Sequence, residues 1–202
     1  GSIDLTGTNP TITQGGTNNF YDLDLSDGAS LSSAISVEND LSIAGTLTGN
    51  SNTITIAGDW INTGTYAPGG TGTVVFADNS KTSRVIGSSS FQDLTIDGQG
   101  TADRGKAVKF EVGQAQSIAG TFTALGETYG IDDIAYVVLT STSTGVQATL
   151  NVSLPVSANV DYAVVQDINV VAGSNISATD SVDLGNNDGI TFSSTSTITT
   201  WT

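Results

Sequence analysis

Residues 20–28 of the chain read Phe-Tyr-Asp-Leu-Asp-Leu-Ser-Asp-Gly, and residues 91–98 read Phe-Gln-Asp-Leu-Thr-Ile-Asp-Gly. A second phrase, Ser-Ile-Ala-Gly-Thr-Leu-Thr at 42–48, returns in the same order as Ser-Ile-Ala-Gly-Thr-Phe-Thr at 117–123. The interval between the starts of the two phrases is longer from Phe91 to Ser117 than from Phe20 to Ser42, so the second copy carries an insertion. A repeat with loop insertions is typical of a stacked architecture, in which each unit buries its apolar face against its neighbours.

Short runs of alternating apolar and polar residues follow one another along the chain, separated by turns rich in Gly, Asn and Asp. This period-2 alternation predicts β-strands, and no segment through residue 150 sustains a helical period. The predicted strands are 20–25, 35–37, 41–48, 53–57, 59–66, 73–77, 84–86, 107–112, 117–125, 134–140, 148–154, 162–165 and 168–171. The side chains predicted to point inward in the first half are Leu23, Leu25, Leu41, Ile43, Leu47, Ile54, Ile56 and Val75.

Three all-β architectures compete for this pattern: a β-sandwich, a closed barrel and a solenoid. The repeat is too long for one coil of a solenoid, but it matches three coils of about 24 residues, each with three short strands and three turns. We therefore predict one parallel β-solenoid domain over residues 1–202, with a β-sandwich as the alternative. Segments 1–13 and 193–202 read as terminal strands without an evident partner, 126–133 as a loop, and 136–139 as a strand covered on both faces.

The wording of the repeats carries a resemblance to a known group of proteins. The Phe-x-Asp-Leu-x-Leu/Ile and Ser-Ile-Ala-Gly-Thr-x-Thr phrases, with the runs 138–152 and 181–192, resemble the right-handed parallel β-helix repeats of bacterial surface and adhesin-like proteins. The resemblance covers roughly residues 20 to 192. It implies a pectate-lyase-like coil, secretion and a surface or adhesive role, and no common catalytic residues to carry over.

Composition limits the chemistry. The chain has no Cys, Met or His, and 20 Asp and Glu against 5 Lys and Arg give a net charge of -15. Without His the commonest general base and metal ligand are missing. A strongly acidic surface repels nucleic acid and anionic lipid, and no apolar run approaches the length of a membrane span, so neither nucleic acid nor membrane insertion is expected. Abundant Ser, Thr, Asn and Asp are typical of extracellular bacterial surface proteins.

The positive charge is confined to one window between residues 81 and 109. Such a window is a candidate docking patch for the acidic surface of another copy, since opposite patches steer association. The alternative is that the basic residues neutralise nearby Asp78, Asp93, Asp97, Asp103 and Glu111. The candidate interface residues are Lys81, Arg84, Arg104, Lys106 and Lys109.

Catalytic and ligand sites are weakly indicated. Asp132-Asp133 would point to opposite sides of a strand, so they do not form the facing pair that glycoside hydrolysis needs. Asp183–Gly189 with Asp180 offers oxygen ligands for calcium, but it lacks the spacing of a calcium loop, and a turn held by Asn and Asp side chains is the alternative. Trp60 and Tyr66 are expected in the core; as stacking platforms for a glycan, the candidates are Trp60, Tyr66, Tyr129 and Trp201.

We therefore predict an extracellular structural protein without catalytic activity or cofactor. It would be a β-solenoid subunit of a surface filament or a stiff surface spacer, self-associating through its terminal strands into a homo-oligomer or filament. The rival is an adhesin or carbohydrate-binding module. A polysaccharide lyase and an ice-binding protein with stacked Thr-x-Thr are weaker alternatives.

Overall fold

The computed structural model describes residues 2–5, 7, 9–16, 18–100, 104–129, 133–153, 158–171 and 176–194. Its described elements are all β-strands, and they trace nine coils. The first five coils contain β1 (Ser2–Leu5) and β2 (Thr11–Ile12); β3 (Asp22–Leu25), β4 (Ala29–Leu31) and β5 (Ile35–Val37); β6 (Leu41–Ile43), β7 (Thr46–Thr48) and β8 (Ile54–Ile56); β9 (Trp60–Asn62), β10 (Thr65–Ala67) and β11 (Thr73–Phe76); β12 (Thr82–Ile86), β13 (Ser89–Phe91) and β14 (Asp93–Asp97).

The remaining coils include one excursion. The sixth contains β15 (Ala107–Phe110), β16 (Ala115–Ile118) and β17 (Phe122–Leu125), and is followed by a small antiparallel pair, β18 (Glu127–Thr128) and β19 (Ile134–Ala135). The last three contain β20 (Val137–Ser141), β21 (Ala148–Val152) and β22 (Ala158–Asp161); β23 (Ala163–Gln166), β24 (Ile168–Val171) and β25 (Ile176–Thr179); β26 (Val182–Asp183) and β27 (Ile190–Ser193). The predicted loop 126–133 thus contains β18, and residues 130–132 lie outside the described part.

The second to eighth coils each contribute one strand to each of three faces, and the first and last coils contribute strands to two. Face A is a nine-stranded sheet that runs from β1 to β26, and face C is an eight-stranded sheet that runs from β5 to β27. Face B consists of two four-stranded sheets, β2-β4-β7-β10 and β13-β16-β21-β24. Neighbouring coils pair in parallel, whereas a β-sandwich would need hairpins. The predicted parallel β-solenoid is confirmed.

The interior is a continuous apolar column built by the alternation along each strand. On face A, for example, Leu23, Leu41, Trp60, Val85 and Phe110 lie in register on successive coils, and all are fully buried. Seven of the eight side chains predicted to point inward are buried, which confirms the period-2 reading for them.

Val75 is the exception among the predicted inward residues. Val74 and Phe76 are buried and Val75 is half-buried, because β11 pairs in register with Ile54 and Ile56 of β8. Two adjacent valines make the alternation ambiguous in sequence, and the register decides it.

The run 136–139 also alternates, contrary to prediction. Val137 and Leu139 are buried while Tyr136 and Val138 are half-buried, so the strand is not covered on both faces. An unbroken apolar run therefore does not by itself show burial on both sides of a sheet.

The two copies of the repeat do not lie on the same faces. Leu23 and Leu25 belong to β3 on face A, whereas their counterparts Leu94 and Ile96 belong to β14 on face C. The uniform coil length that the sequence predicted is also wrong. On face A the register partner of Leu23 is Leu41, whereas that of Phe110 is Ser141, so the later coil is much the longer. The repeated sequence therefore corresponds to a structural unit smaller than a coil.

The repeated Ile-Ala-Gly sequence forms a corner between two faces of the solenoid. Ile-Ala-Gly turns the chain from face A to B at 43–45, from C to A at 56–58 and from B to C at 118–120. At each site the glycine Cα lies against the backbone of the previous coil, so that a Cβ on Gly45 would overlap the carbonyl of Asp27, and one on Gly120 would lie 2.8 Å from the carbonyl oxygen of Gln92. The predicted single strands 41–48, 59–66 and 117–125 are consequently wrong; each is two strands that meet at a corner.

Both terminal segments find partners within the chain where they are described. β1 and β2 pair in parallel with β3 and β4, and β27 pairs in parallel with β25. The terminal strands were expected without an evident partner, so this part of the prediction is corrected. Residues 195–202 of the predicted C-terminal segment lie outside the described part.

Replacing a corner glycine should be far more damaging than replacing a turn glycine. We expect Gly45→Ala to lower the free energy of unfolding by about 3 kcal/mol, because its Cβ overlaps backbone that belongs to the adjacent coil. Gly70→Ala is the matched control, since a Cβ there meets nothing within 4 Å. Denaturant unfolding of both variants is the measurement, and equal effects would contradict the corner argument.

Candidate interaction surface at the basic corner

The chain passes from face C to face A once in each coil. Four of these passages, at residues 38–40, 57–59, 77–81 and 98–100 with 104–106, lie on successive coils, and we name them the segments of the C-to-A corner. The five basic residues of the sequence lie on this corner or beside it on face A. Lys81 belongs to the third corner segment and Arg104 and Lys106 to the fourth, while Arg84 on β12 pairs in register with Lys109 on β15. The structure thus brings the predicted interface residues into one region, which we name the basic corner: Lys81, Arg84, Arg104, Lys106 and Lys109.

Lys106 is fully buried and binds backbone rather than carboxylates. Its Nζ donates to the carbonyl oxygens of Ala57 at 2.7 Å, Asp78 at 3.2 Å and Lys81 at 3.2 Å. The side chain therefore reaches back across one corner segment to the one before it. Burial lowers the pKa of Lys106 to about 8, and the opposing effect of the Asp78 carboxylate is smaller. Because its ammonium group is enclosed, Lys106 cannot contact a partner directly.

Lys81 makes the same kind of contact one coil earlier. Its Nζ donates to the carbonyl oxygen of Glu38 and to Asn39 Oδ1 at 3.4 Å, and it lies 5.8 Å from the centre of the Tyr21 ring. Like Lys106, it spans from its own corner segment to the second one before it. The two lysines supply donors to corner carbonyls, which would otherwise depend on solvent.

Arg84 ends a ladder of aspartates along the edge of face A. Asp22, Asp40 and Asp59 each accept the backbone N–H of the residue one coil further on, at 3.2, 2.7 and 2.7 Å; the last of these donors is Arg84. The Arg84 guanidinium also donates to Asp59 Oδ2 at 2.6 and 2.9 Å. This hydrogen bonding to Asp59 raises the pKa of Arg84. Within the described residues it is the one ion pair.

Neither sequence interpretation of the basic window describes these contacts fully. Asp59 was not among the carboxylates expected to be neutralised, and the two lysines bind carbonyl oxygens. Arg104 and Lys109 are exposed and form no ion pair within the described ranges. Arg104, Lys81, Tyr136 and Val138 border a groove of about 450 Å³. Of the five predicted interface residues, Arg104 and Lys109 are thus the freest to meet a partner.

Two of the predicted glycan platforms are in the core instead. The Trp60 ring lies edge-on to Tyr66, with centroids 4.9 Å apart, and 5.4 Å from Phe91, and all three are buried. Burial also raises the pKa of the Tyr66 hydroxyl. The cluster lies where the two sheets of face B meet and where Ser89 Oγ accepts Trp60 Nε1–H at 2.9 Å. Trp60 and Tyr66 therefore cannot stack on a saccharide.

The exposed aromatic residues are others. Tyr129 is 41% exposed, as a platform would require, and Tyr21, which the sequence reasoning missed, is 49% exposed. The alternation of inward and outward residues could have identified Tyr21 as exposed, because it directly follows Phe20, which packs against the core. Trp201, like Asp132 of the carboxylate pair, lies outside the described residues.

The candidate calcium loop is a turn held by its own side chains. Asp183 Oδ1 accepts the N–H of Gly185 at 2.8 Å and the Asn187 amide at 2.6 Å. Asn187 also donates to the carbonyl of Val165 and accepts the N–H of Ile168. In the ranges that the structure describes, no three acidic residues converge as a metal site.

Comparison with known proteins adds no relative. No family model matches the chain, and neither the curated proteins nor the solved structures provide a match. Among the described residues no helix is long and apolar enough to cross a membrane. Function must therefore be argued from the architecture and its surfaces.

The buried lysine gives a prediction for stability. We expect Lys106→Met to lower the free energy of unfolding by about 1 to 3 kcal/mol, because that is what a buried carbonyl that loses its donor costs. The Lys81 carbonyl would lose its donor, whereas Ala57 keeps Ser83 Oγ and Asp78 keeps the N–H of Lys81, each at 3.1 Å. Lys109→Met is the control, since Lys109 is exposed. The measurement is chemical denaturation. If both variants had the free energy of unfolding of the wild type, the role assigned to Lys106 would be contradicted.

The same lysine predicts a pH dependence. Its pKa is about 8 in the folded protein and 10.5 when unperturbed, so between these values the unfolded chain binds more protons and stability rises with pH. The rise is at most about 1.4 kcal/mol per pH unit. We expect the free energy of unfolding of the wild type to increase relative to Lys106→Met from pH 8 to 10. Tyr66 contributes an opposing pH dependence to both proteins, and it cancels in the difference between their free energies of unfolding. A difference that does not change with pH would contradict the lowered pKa of Lys106.

Proposed function

We propose that the protein is an extracellular structural protein, a stiff β-solenoid spacer at the cell surface. The observation that supports this most directly is the continuity of face A, where nine parallel strands form one hydrogen-bonded sheet along the solenoid axis. At about 4.8 Å per coil, the nine coils give a length of about 40 Å. Bending such a body requires many ladder hydrogen bonds and core contacts to change together.

The interior supports the same role. The buried apolar side chains form one cluster that extends from Ile12 in the first coil to Ala178 in the eighth. An uninterrupted core makes the coils cooperate, because each is stabilised chiefly by its two neighbours. The corner contacts of Lys81 and Lys106 add ties that cross from one coil to the second one before it. A domain of this kind keeps its two ends at a fixed distance and orientation.

Four carboxylates of the coils hold neighbouring coils together. The ladder aspartates accept backbone N–H groups, and Asp93 does the same for Thr121 at 2.6 Å. The chain has no His or Cys to act as a base or nucleophile. We therefore propose a structural role rather than an enzymatic one. Burial of Trp60 and Tyr66 likewise favours the spacer over a glycan-binding module.

The surface suits an extracellular position. A net charge of -15 with few lysines keeps the chain solvated and repels anionic surfaces. Most backbone in the coils is held in strand ladders, which limits the local opening that proteases need. Both properties are useful to a spacer exposed outside the cell.

Rigidity and location can each be measured. The chain has no cysteine, so Thr11→Cys with Ser177→Cys gives two unique labelling sites on exposed positions near opposite ends. We expect one narrow distance distribution by single-molecule energy transfer, unchanged in high salt, and labelling of the native protein by specific antibody on intact cells of the source organism. A broad distribution, or antigen that is reached only after lysis, would overturn the proposal.

A further inference from the structure

A groove of about 450 Å³ runs along the C-to-A corner beside Tyr21, and its volume is in the range of small-molecule sites. Tyr21 lies on the passage just before the first corner segment, between Phe20, which bridges to face C, and β3 on face A. From there the groove extends past Glu38 and Ala57 to Asp78, which is about 14 Å at about 4.8 Å per coil. We name it the Tyr21 groove; its lining includes the polar and aromatic side chains of Asn19, Tyr21, Glu38, Thr55, Asp78 and Lys81.

The Tyr21 ring is an exposed aromatic surface that its neighbours hold in place. It is 49% exposed, and Lys81 Nζ lies 5.8 Å from its centre, within the range of a cation–π contact. Lys81 is itself fixed, because it donates to the carbonyl oxygen of Glu38 and to Asn39 Oδ1. The backbone carbonyl of Tyr21 accepts the N–H of Asn39 at 2.8 Å. A ligand that stacks on this ring therefore meets a surface that needs little further ordering.

Two exposed carboxylates, Glu38 and Asp78, lie in the same groove. Asn19 Nδ2 donates to Glu38 Oε1 at 3.3 Å. Ser80 donates to Asp78 Oδ1 through both its hydroxyl and its backbone N–H. The hydrogen bond from the Ser80 side chain lowers the pKa of Asp78, so this carboxylate stays ionised and accepts hydrogen bonds. Both groups are thus positioned acceptors that face solvent.

The lining matches the chemistry of a saccharide. A sugar hydroxyl both donates and accepts, so a ring that carries several hydroxyls needs acceptors and donors within reach. Glu38 and Asp78 are acceptors, the Asn19 amide and Lys81 supply donors, and the Thr55 hydroxyl can act as either. One side of a pyranose ring carries mainly C–H groups, which pack on the electron-rich face of an aromatic ring.

Charge determines which saccharides fit. Glu38 and Asp78 place two negative charges in the groove against the one positive charge of Lys81, in a chain whose net charge is -15. A sugar that carries a carboxylate or a sulfate would meet these charges unpaired. A neutral sugar meets them as acceptors for its hydroxyls, so the groove discriminates in its favour.

We infer that the Tyr21 groove binds a neutral saccharide, with one pyranose ring stacked on Tyr21 and its hydroxyls bound by Glu38 and Asp78. The groove lies on the side of the solenoid, so its occupation leaves the strand ladders and the core unchanged. Trp60 and Tyr66, the platforms predicted from the sequence, take no part because they are buried. A spacer with such a site would bind glycan on its side as well as set a distance.

The test is a titration of the full chain, followed by amide chemical shifts, with neutral tetrasaccharides of glucose, mannose and xylose. Tetragalacturonate is the acidic probe of the same length. We expect at least one neutral probe to shift the amides of Tyr21, Glu38 and Asp78, and we expect tetragalacturonate to shift none of them.

Substitutions separate stacking from charge. Tyr21→Ala should raise the Kd of the neutral probe at least about tenfold, because the stacking surface is lost. Tyr129→Ala is the matched control, since Tyr129 is 41% exposed and lies outside the groove, and it should leave Kd unchanged. Glu38→Gln with Asp78→Asn keeps the size of both side chains and removes their charges, so it should reduce the preference for the neutral over the acidic probe.

Three results would each overturn the inference: no shift with any neutral probe, tighter binding of tetragalacturonate by the wild type, or an equal loss of binding in Tyr21→Ala and Tyr129→Ala. Amide shifts far from the groove report whether Tyr21→Ala keeps its fold, so a loss of binding can be assigned to the ring. The distance distribution that tests the spacer role is measured without saccharide, so the two proposals fail separately.

Discussion

Successive coils of this protein stack one strand spacing apart, about 4.8 Å, and that distance constrains everything else. Along the strands it is favourable, because ladder hydrogen bonds form and inward side chains stack in register. At the corners it leaves no room, because the chain must turn while its neighbour lies directly beneath. Several corner positions are therefore glycine, since any Cβ there would overlap the adjacent coil: Gly45, Gly58, Gly64 and Gly120.

The corners also disturb the backbone hydrogen bonding, and this accounts for the placement of charge. Where the ladder bends from face C to face A, carbonyl oxygens are met by the ammonium groups of Lys81 and Lys106. Backbone N–H groups at the same edge are met by the aspartates of the ladder, from Asp22 to Asp59. Charges of both signs therefore complete the backbone of a solenoid whose charged residues outside the basic corner are all acidic.

Much of this architecture could be predicted from the sequence, and the failures share one cause. Alternation identifies Leu23, Leu41 and Ile54 as inward because the period of a strand is a local property. It cannot say which face a strand joins, so the repeat at 20–28 and 91–98 was interpreted as three whole coils although its copies lie on different faces. It also missed the bends at Gly45 and Gly120, where one apolar run becomes two strands, since the reason for each bend is backbone from another coil. The candidate site was likewise predictable in location and not in chemistry, because what Lys106 and Arg84 bind depends on neighbouring coils.

The Ile-Ala-Gly corner has an evolutionary consequence. Because the same three residues turn the chain at each of the three corners, a segment that carries them can move by one face and still fit. Insertion or deletion of one short strand together with its corner would then leave the flanking strands in usable positions. A solenoid built this way can change length in steps smaller than a coil without losing its core, and its descendants can diverge in coil size while keeping the same way of turning.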